Sequence, residues 1–547
     1  MDNLDKLISK INVNNSTKKV LFATGFSGYN HGAIVDKLIA SKLLLQNVQV
    51  EFFICDKFLP GCMLTKIKQI DPEDFTKVKE QPRCDNCFNK GEKFLRYLNV
   101  KKNLFSENIS TFEINQIEDT LRSIKTEDIK NFCINKLNIG EEAYAGTIRY
   151  FGKEKIFEEK YFEEILRKFF KSALITYYCF KNVLKNKYDT IVFSHGVYVP
   201  HGIINKLCQE KQIPTVIYIP SYRKNTFIFS KDDTYHKTMV NEKNEWLNFE
   251  FNKKKRELII NYLDSRKKGS NDWIVFNKEN NFDVNKYLDQ NKKNILLLTN
   301  VMWDARLHYS SNAFESMEEW IIKTIDFYSD KEGFNLIIRI HPAEITGDVP
   351  SRQKIEDLLN NHYKVMPKNI KIIPPENPAS TYELIEKSNL ILIYSTKTGI
   401  EAASRGKKVV VAGEAWIRNK GFSYDATSKE NYQKILEEIN CEEDLSHEKK
   451  ELALKYAYYI FFRRMIRLDK IKIKLKNNRT VFETKIRDYD DLRNDKILDL
   501  ISEGILHNKK IEFDDENYIL EKNVNLSFYQ SFIRKVDKIR DKIIFRK

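Results

Sequence analysis

Apolar and polar positions alternate most regularly in residues 336–344, LIIRIHPAE, where a period of two puts Ile338 and Ile340 on one face and Arg339 and His341 on the other. Pro342 stops the strand, so His341 is expected at its carboxyl end. A second apolar run, LILIY at 390–394, suits a buried parallel strand, and STKTG follows it immediately before the helical segment IEAASRG. KKVVVAG then closes a βαβ unit, with Gly406 as the residue that ends the helix. The first half opens in the same way: strand KKVLFATGF, amphipathic helix AIVDKLIASKLLLQ, strand VQVEFFIC. TIVFSHG and TVIYIP form a further unit, and KKNILLLTN begins the second half near Lys292. These alternations predict an α/β chain of doubly wound sheets.

Three bodies are expected: a Rossmann-like domain over 1–285, a second over 286–445, and a helical C-terminal extension over 446–547. The charged helix at 253–268 reads as solvated covering. The tail SFYQSFIRKVDKIRDKIIFRK is basic and amphipathic, which suits either a docked terminal helix or peripheral contact with an anionic membrane.

The chemistry gathers at the strand ends. Ser395, Thr396 and Thr398, with the N–H groups of the helix they open, form a candidate phosphate cradle, and Lys397 adds charge. Gly399 would admit a close backbone approach, and Glu401 lies where a carboxylate reaches a ribose. A Ser/Thr turn of this kind also caps ordinary helices; two polar strand ends and a helical Glu in one half-domain favour a ligand. Asp304 follows another strand end and should face the interdomain cleft. In SHGVYVPHG, His195 and His201 stand at a strand end and a helix start. The glycines Gly25, Gly28 and Gly32 do not keep dinucleotide-fingerprint spacing and read as turns opening a crevice lined by Asn30 and His31.

With 92 basic and 77 acidic residues among 547, the net charge of +15 favours anionic partners. Lys is scattered rather than striped with aromatics, which argues against nucleic acid. No apolar run approaches ~18 residues and the N-terminus lacks an apolar core, so a cytoplasmic location, at most at the inner face of the cell membrane, is expected. Cys55, Cys62, Cys84 and Cys87 cluster in sequence, and their C-x2-C half-site makes them candidate ligands of a structural zinc; the alternative is a buried core thiol at Cys55 with three incidental neighbours.

At IRIHPAE, YSTKTGIEAASRGKKVVVAG and NKGFSYD the chain resembles the capsule polysaccharide biosynthesis proteins, a family that includes Kdo transferases and shares its His-Pro signature with bacterial sialyl- and polysialyltransferases. The resemblance implies the GT-B plan of two Rossmann-like domains facing a central cleft. It also implies a glycosyltransferase with neither metal nor cofactor in catalysis, acting on a nucleotide-sugar donor, a CMP-sugar favoured, and a glycan or glycolipid acceptor. Carried over, His341 and Ser395 with Thr396 would hold the donor's phosphate and Glu401 its ribose, and Pro342, Glu344, Lys397, Thr398, Gly399 and Asp304 complete the expected donor nucleotide-binding set. Arg418 and Lys420 would neutralise the departing nucleotide. The general base stays open: His195, with Glu142 and His31 as rivals. A non-hydrolysing sugar-nucleotide epimerase and a non-catalytic glycan-assembly scaffold fit the same skeleton.

Overall fold

The computed structural model describes residues 3–26, 28, 30–268, 271–272, 282–304, 312–347, 349–476 and 479–520. The first half supplies β1 (Lys19–Gly25), β2 (Gln49–Ile54), β3 (Lys101–Leu104), a small hairpin of β4 (Cys133–Ile134) and β5 (Leu137–Asn138), then β6 (Thr190–Ser194), β7 (Thr215–Pro220) and β8 (Thr226–Lys231). The second half supplies β9 (Lys293–Leu298), β10 (Phe334–Arg339), β11 (Ile370–Ile373), β12 (Leu390–Ile393), β13 (Lys408–Val411) and β14 (Tyr424–Asp425). After the helix His447–Tyr458 and a π-helical stretch, Tyr459–Arg464, come β15 (Met465–Arg467) and the hairpin β16 (Ile471–Lys476) and β17 (Arg479–Thr484).

The second sheet is wholly parallel, in the order β11-β10-β9-β12-β13-β14. This is the Rossmann order, whose direction reverses between β9 and β12, and ligands collect at the carboxyl ends beside such a reversal. LILI reads as an unbroken apolar run because helices cover both faces of β12, and all four residues are fully buried. The first sheet runs β15-β8-β7-β6-β1-β2-β3, parallel from β3 to β7, with β8 and β15 added antiparallel at one edge. Two Rossmann-like halves, with the chain returning at its end to the first, make the GT-B plan.

Met239, Trp246, Ile259, Tyr262 and Leu263, which lie before the expected boundary at 285, pack in one core with Leu296, Ile337 and Ile391 of the second sheet. The helix Lys253–Lys268 is correspondingly no solvated cover: Ile259, Tyr262 and Leu263 are buried in that core, and so is Arg266. The expected helical extension after 446 also carries strands. β15 joins the first sheet, and the helix Lys496–His507 packs on the first half, where Thr190 Oγ1 donates to Ile505 O at 2.7 Å. Among the described residues no helix is long and apolar enough to cross a membrane. The basic tail expected to contact a membrane lies outside the described residues.

Candidate functional site

A cavity of about 390 Å³, within the range of ligand pockets, opens at the carboxyl ends of β9, β10 and β12. The second half contributes Thr299, Asn300 and Asp304 after β9, Arg339, His341 and Pro342 at β10, and Ser395, Thr396, Lys397 and Thr398 after β12. The first half faces them with Glu154 and Tyr222, and Tyr235 and His236 stand where the two meet.

His341 is anchored twice. Its backbone N–H donates to Thr299 Oγ1 at 3.0 Å, and its ring Nδ1 accepts the N–H of Ala343 at 3.0 Å. An accepting Nδ1 fixes the neutral ring as the Nε2–H tautomer. Burial first, then the charges of Lys397 and Arg339, push its pKa down to about 4, so the imidazole is neutral at pH 7 and acts as a donor without charge. Arg339, which shares its face of the strand, is the cation beside it. Nη1 donates to Pro374 O at 2.6 Å and Nη2 to Asn377 O at 3.0 Å, which pins the 374–379 loop over the sheet. Nε is buried and has no partner among the described residues, and burial lowers the pKa to about 10, leaving the group charged. Asn300 Oδ1 is a buried acceptor equally without a partner.

At β12 the hydroxyls of Ser395, Thr396 and Thr398 line the cavity, with Thr396 Oγ1 donating to Thr398 Oγ1 at 3.2 Å. The N–H groups expected to cradle phosphate are already used: Thr398 N donates to Thr396 Oγ1, Gly399 N to Thr396 O and Ile400 N to Lys397 O. Side chains therefore supply the donors here. Lys397 Nζ lies 4.4 Å above the Tyr222 ring and 3.0 Å from Glu401 Oε1.

Glu401 does not reach a ribose. It is fully buried and outside the cavity lining, with Oε1 bound to Lys397 and Oε2 to Arg266 Nε at 3.0 Å. Arg266 also binds Asp272, which takes the hydroxyl of Tyr262. Gly399 is likewise structural: a Cβ there would stand 2.5 Å from Ile393 Cδ1 and 2.8 Å from Ile417 Cδ1. Glu344 turns from the cavity and accepts the N–H of Ile355 at 3.2 Å. Arg418 donates to the carbonyls of Gly413 and Ala426, and Lys420 to those of Val240 and Glu242. Neither lines the cavity, so both clamp backbone instead of neutralising a leaving group. Asp304 does face the cleft, where it accepts the Tyr198 hydroxyl at 3.2 Å.

The expected bases fare differently. Glu142 lies outside the cavity, bound to Lys206 at 2.7 Å; burial raises its pKa to about 7 against the pull of that lysine. His195 does not line the cavity either, but its electrostatic neighbours include His236, which does. Burial holds both rings neutral, His236 at about 4. His201 is structural, its Nε2 2.9 Å from Thr24 O. His31 falls in the helix Asn30–Leu45, with its side chain outside the described residues. Sequence reasoning missed Glu154, His236, Arg266 and Asp272, which only tertiary packing brings here. Arg339 was signalled by its alternation with His341.

Cys55, Cys62, Cys84 and Cys87 form no disulfide. Their segments meet at the ends of β1 and β2, where Cys55 N donates to Gly25 O and Gly28 N to Cys87 Sγ at 3.0 Å. Cys55 has Cys62 and Cys84 among its electrostatic neighbours, and Cys62 has Cys87 and Cys84, although among the described residues no three His, Cys, Asp or Glu side chains form a group that could hold a metal ion.

No curated protein matches the chain. Among solved structures it is similar to the beta Kdo 2,4 transferase KpsC of Thermosulfurimonas dismutans, at 11% identity over 56% of this chain and 87% of that one, TM-score 0.34. It is also similar to the UDP-GlcNAc 2-epimerases of Neisseria meningitidis (13% identity, 81% and 98% covered, TM-score 0.22) and Methanocaldococcus jannaschii (12%, 81% and 99%, TM-score 0.26). Residues 235–460 match the family model of capsule polysaccharide biosynthesis proteins, and that span coincides with the second core and the cavity's polar wall. By sequence, then, residues 235–460, which carry most of this wall, are similar to the capsule polysaccharide biosynthesis proteins.

Proposed function

We propose that the protein is a GT-B glycosyltransferase that needs no metal in catalysis and moves a sugar from a nucleotide-sugar, a CMP-sugar favoured, to a surface polysaccharide or glycolipid acceptor. The observation that carries the reading is the set of donors at the ends of β10 and β12: Arg339 Nε–H, neutral His341, three hydroxyls and Lys397 converge on one cavity. Transfer requires support for the phosphate that leaves with the nucleotide, and preorganised donors supply it best in an enclosed site. Lys397 is largely balanced by Glu401, so Arg339 carries the net charge toward the phosphate.

A thermal-shift screen tests the donor class. CMP or CDP should raise the melting temperature where UDP and GDP do not, and magnesium chelation should leave both the shift and turnover unchanged. A shift with uridine or guanosine nucleotides alone would overturn the cytidine assignment. Contact with an anionic membrane through the basic tail forms part of the same proposal.

A further inference from the structure

The second half builds the donor wall, and Tyr222 of the first half reaches it. Tyr222 sits in the turn between β7 and β8, and the centre of its ring lies 4.4 Å from Lys397 Nζ. Both residues line the cavity. At that distance the ammonium and the ring attract as a cation–π pair, more strongly the less water reaches them, and the Lys397 side chain is only 14% exposed.

The turn gives Tyr222 little freedom. On one side of it Ser221 N donates to Thr226 O at 2.9 Å, and the hydroxyls of Ser221 and Thr226 stand 2.8 Å apart. On the other side Arg223 O accepts the Thr226 hydroxyl at 2.7 Å, and Arg223 Nη2 donates to Met465 O and to Asp515 Oδ2, each at 2.9 Å. Both flanking residues are buried. Trp416 of the second half then stands edge-on to the Tyr222 ring, with centres 6.0 Å apart and planes at 65°. The backbone of the first half and the packing of the second thus fix one ring in one place.

We infer that Tyr222 is a positioning residue, whose ring keeps the Lys397 ammonium turned to the donor phosphate. The inference rests on the glycosyltransferase reading. Of the three N–H groups of Lys397, Glu401 Oε1 takes one at 3.0 Å and the ring faces another, which leaves the third for a phosphate oxygen. Without the ring the ammonium settles on Glu401 alone and the phosphate loses that donor. Nucleotide affinity therefore depends on a residue of the first half that acts through a residue of the second.

Titration calorimetry of the full chain, with whichever of CMP, UDP and GDP the wild type binds, tests this as a double-mutant cycle. Tyr222→Leu should weaken nucleotide binding by about 3–30-fold, and Tyr222→Phe, which keeps the ring, should recover most of that loss. In a Lys397→Met background Tyr222→Leu should cost nothing further, because the ring then has no cation to hold. If Tyr222→Leu melts too early to be titrated, Tyr222→Met takes its place in the cycle with the same expectations. An equal loss in both backgrounds overturns the inference, since Tyr222 would then act on the ligand or the fold directly. Wild-type affinity in the Leu variant, or a Phe variant as weak as the Leu one, overturns it too, and each leaves the parent reading intact. A wild type that binds none of the three nucleotides overturns the parent reading and this one with it.

Discussion

A neutral histidine can hold a phosphate only as a hydrogen-bond donor, and His341 is built for that, its Nδ1 already spent on Ala343 N–H. A hydrogen bond to a charged group is worth about 1.5–3 kcal/mol, so His341→Ala should weaken nucleotide binding or turnover by about 10–100-fold without lowering the melting temperature much. Wild-type donor hydrolysis and transfer in that variant would remove the donor-site assignment. Glu401 makes the opposite prediction. Removing one partner from a buried ion pair costs about 3–5 kcal/mol, so Glu401→Gln should melt far earlier, whatever happens to donor KM. The attraction of Arg266 and Lys397 outweighs burial and lowers the Glu401 pKa from 4.5 to about 2. A depressed carboxyl stabilises fully above its unfolded value and loses that contribution as pH falls toward its folded one. The gap in melting temperature between wild type and variant should be full at neutral pH and close between pH 4.5 and about 2. Both residues stood out in the sequence, but only His341 lines the cavity. The partner that redirects Glu401 lies 135 residues upstream, in a helix whose charges looked solvated.

At the level of elements, the strands were the most legible part of the chain, for a physical reason: a parallel strand covered on both faces must be apolar throughout, and LILI and VVV say so directly. The turn between them was legible as a polar cradle, but not which of its groups face the cavity, because its N–H groups close on Thr396 and Lys397 within the turn itself and leave the side chains to line it. Gly399 follows from the same packing. It sits against Ile393 and Ile417, and forcing a methyl into a filled core costs about 1–3 kcal/mol. Gly399→Ala should therefore lower the melting temperature while nucleotide affinity at permissive temperature stays near wild type; lost affinity with unchanged melting would restore the ligand-approach reading. The element hidden from sequence was β15. Three residues, MIR, follow directly on an aromatic helix, and they become a strand only because β8, more than 200 positions earlier, offers an unpaired edge.

That return makes the halves interdependent across the whole molecule. Arg223 in the first half is fully buried, its guanidinium 4.5 Å from the centres of both the Phe462 and Tyr518 rings, with Nη2 donating to Met465 O and Asp515 Oδ2. Beyond it, Ile466, Leu498, Ile501 and Ile505 complete the core of the first half. Each such side chain contributes about 1.5–3 kcal/mol on burial, so these four together rival the whole stability of about 5–15 kcal/mol that a folded domain has. A chain ended after Arg464 should therefore be aggregated or broadly protease-sensitive, even though it retains every residue that lines the cavity. A chain ended after Asn525 keeps all of these contacts and should melt like the full chain. The second truncation isolates the basic tail, since any loss of flotation with anionic vesicles cannot then be blamed on unfolding. Reduced flotation with unchanged melting is the outcome expected if the tail carries membrane contact, and identical flotation of the two chains would discard that contact while leaving the cavity and its proposed chemistry untouched.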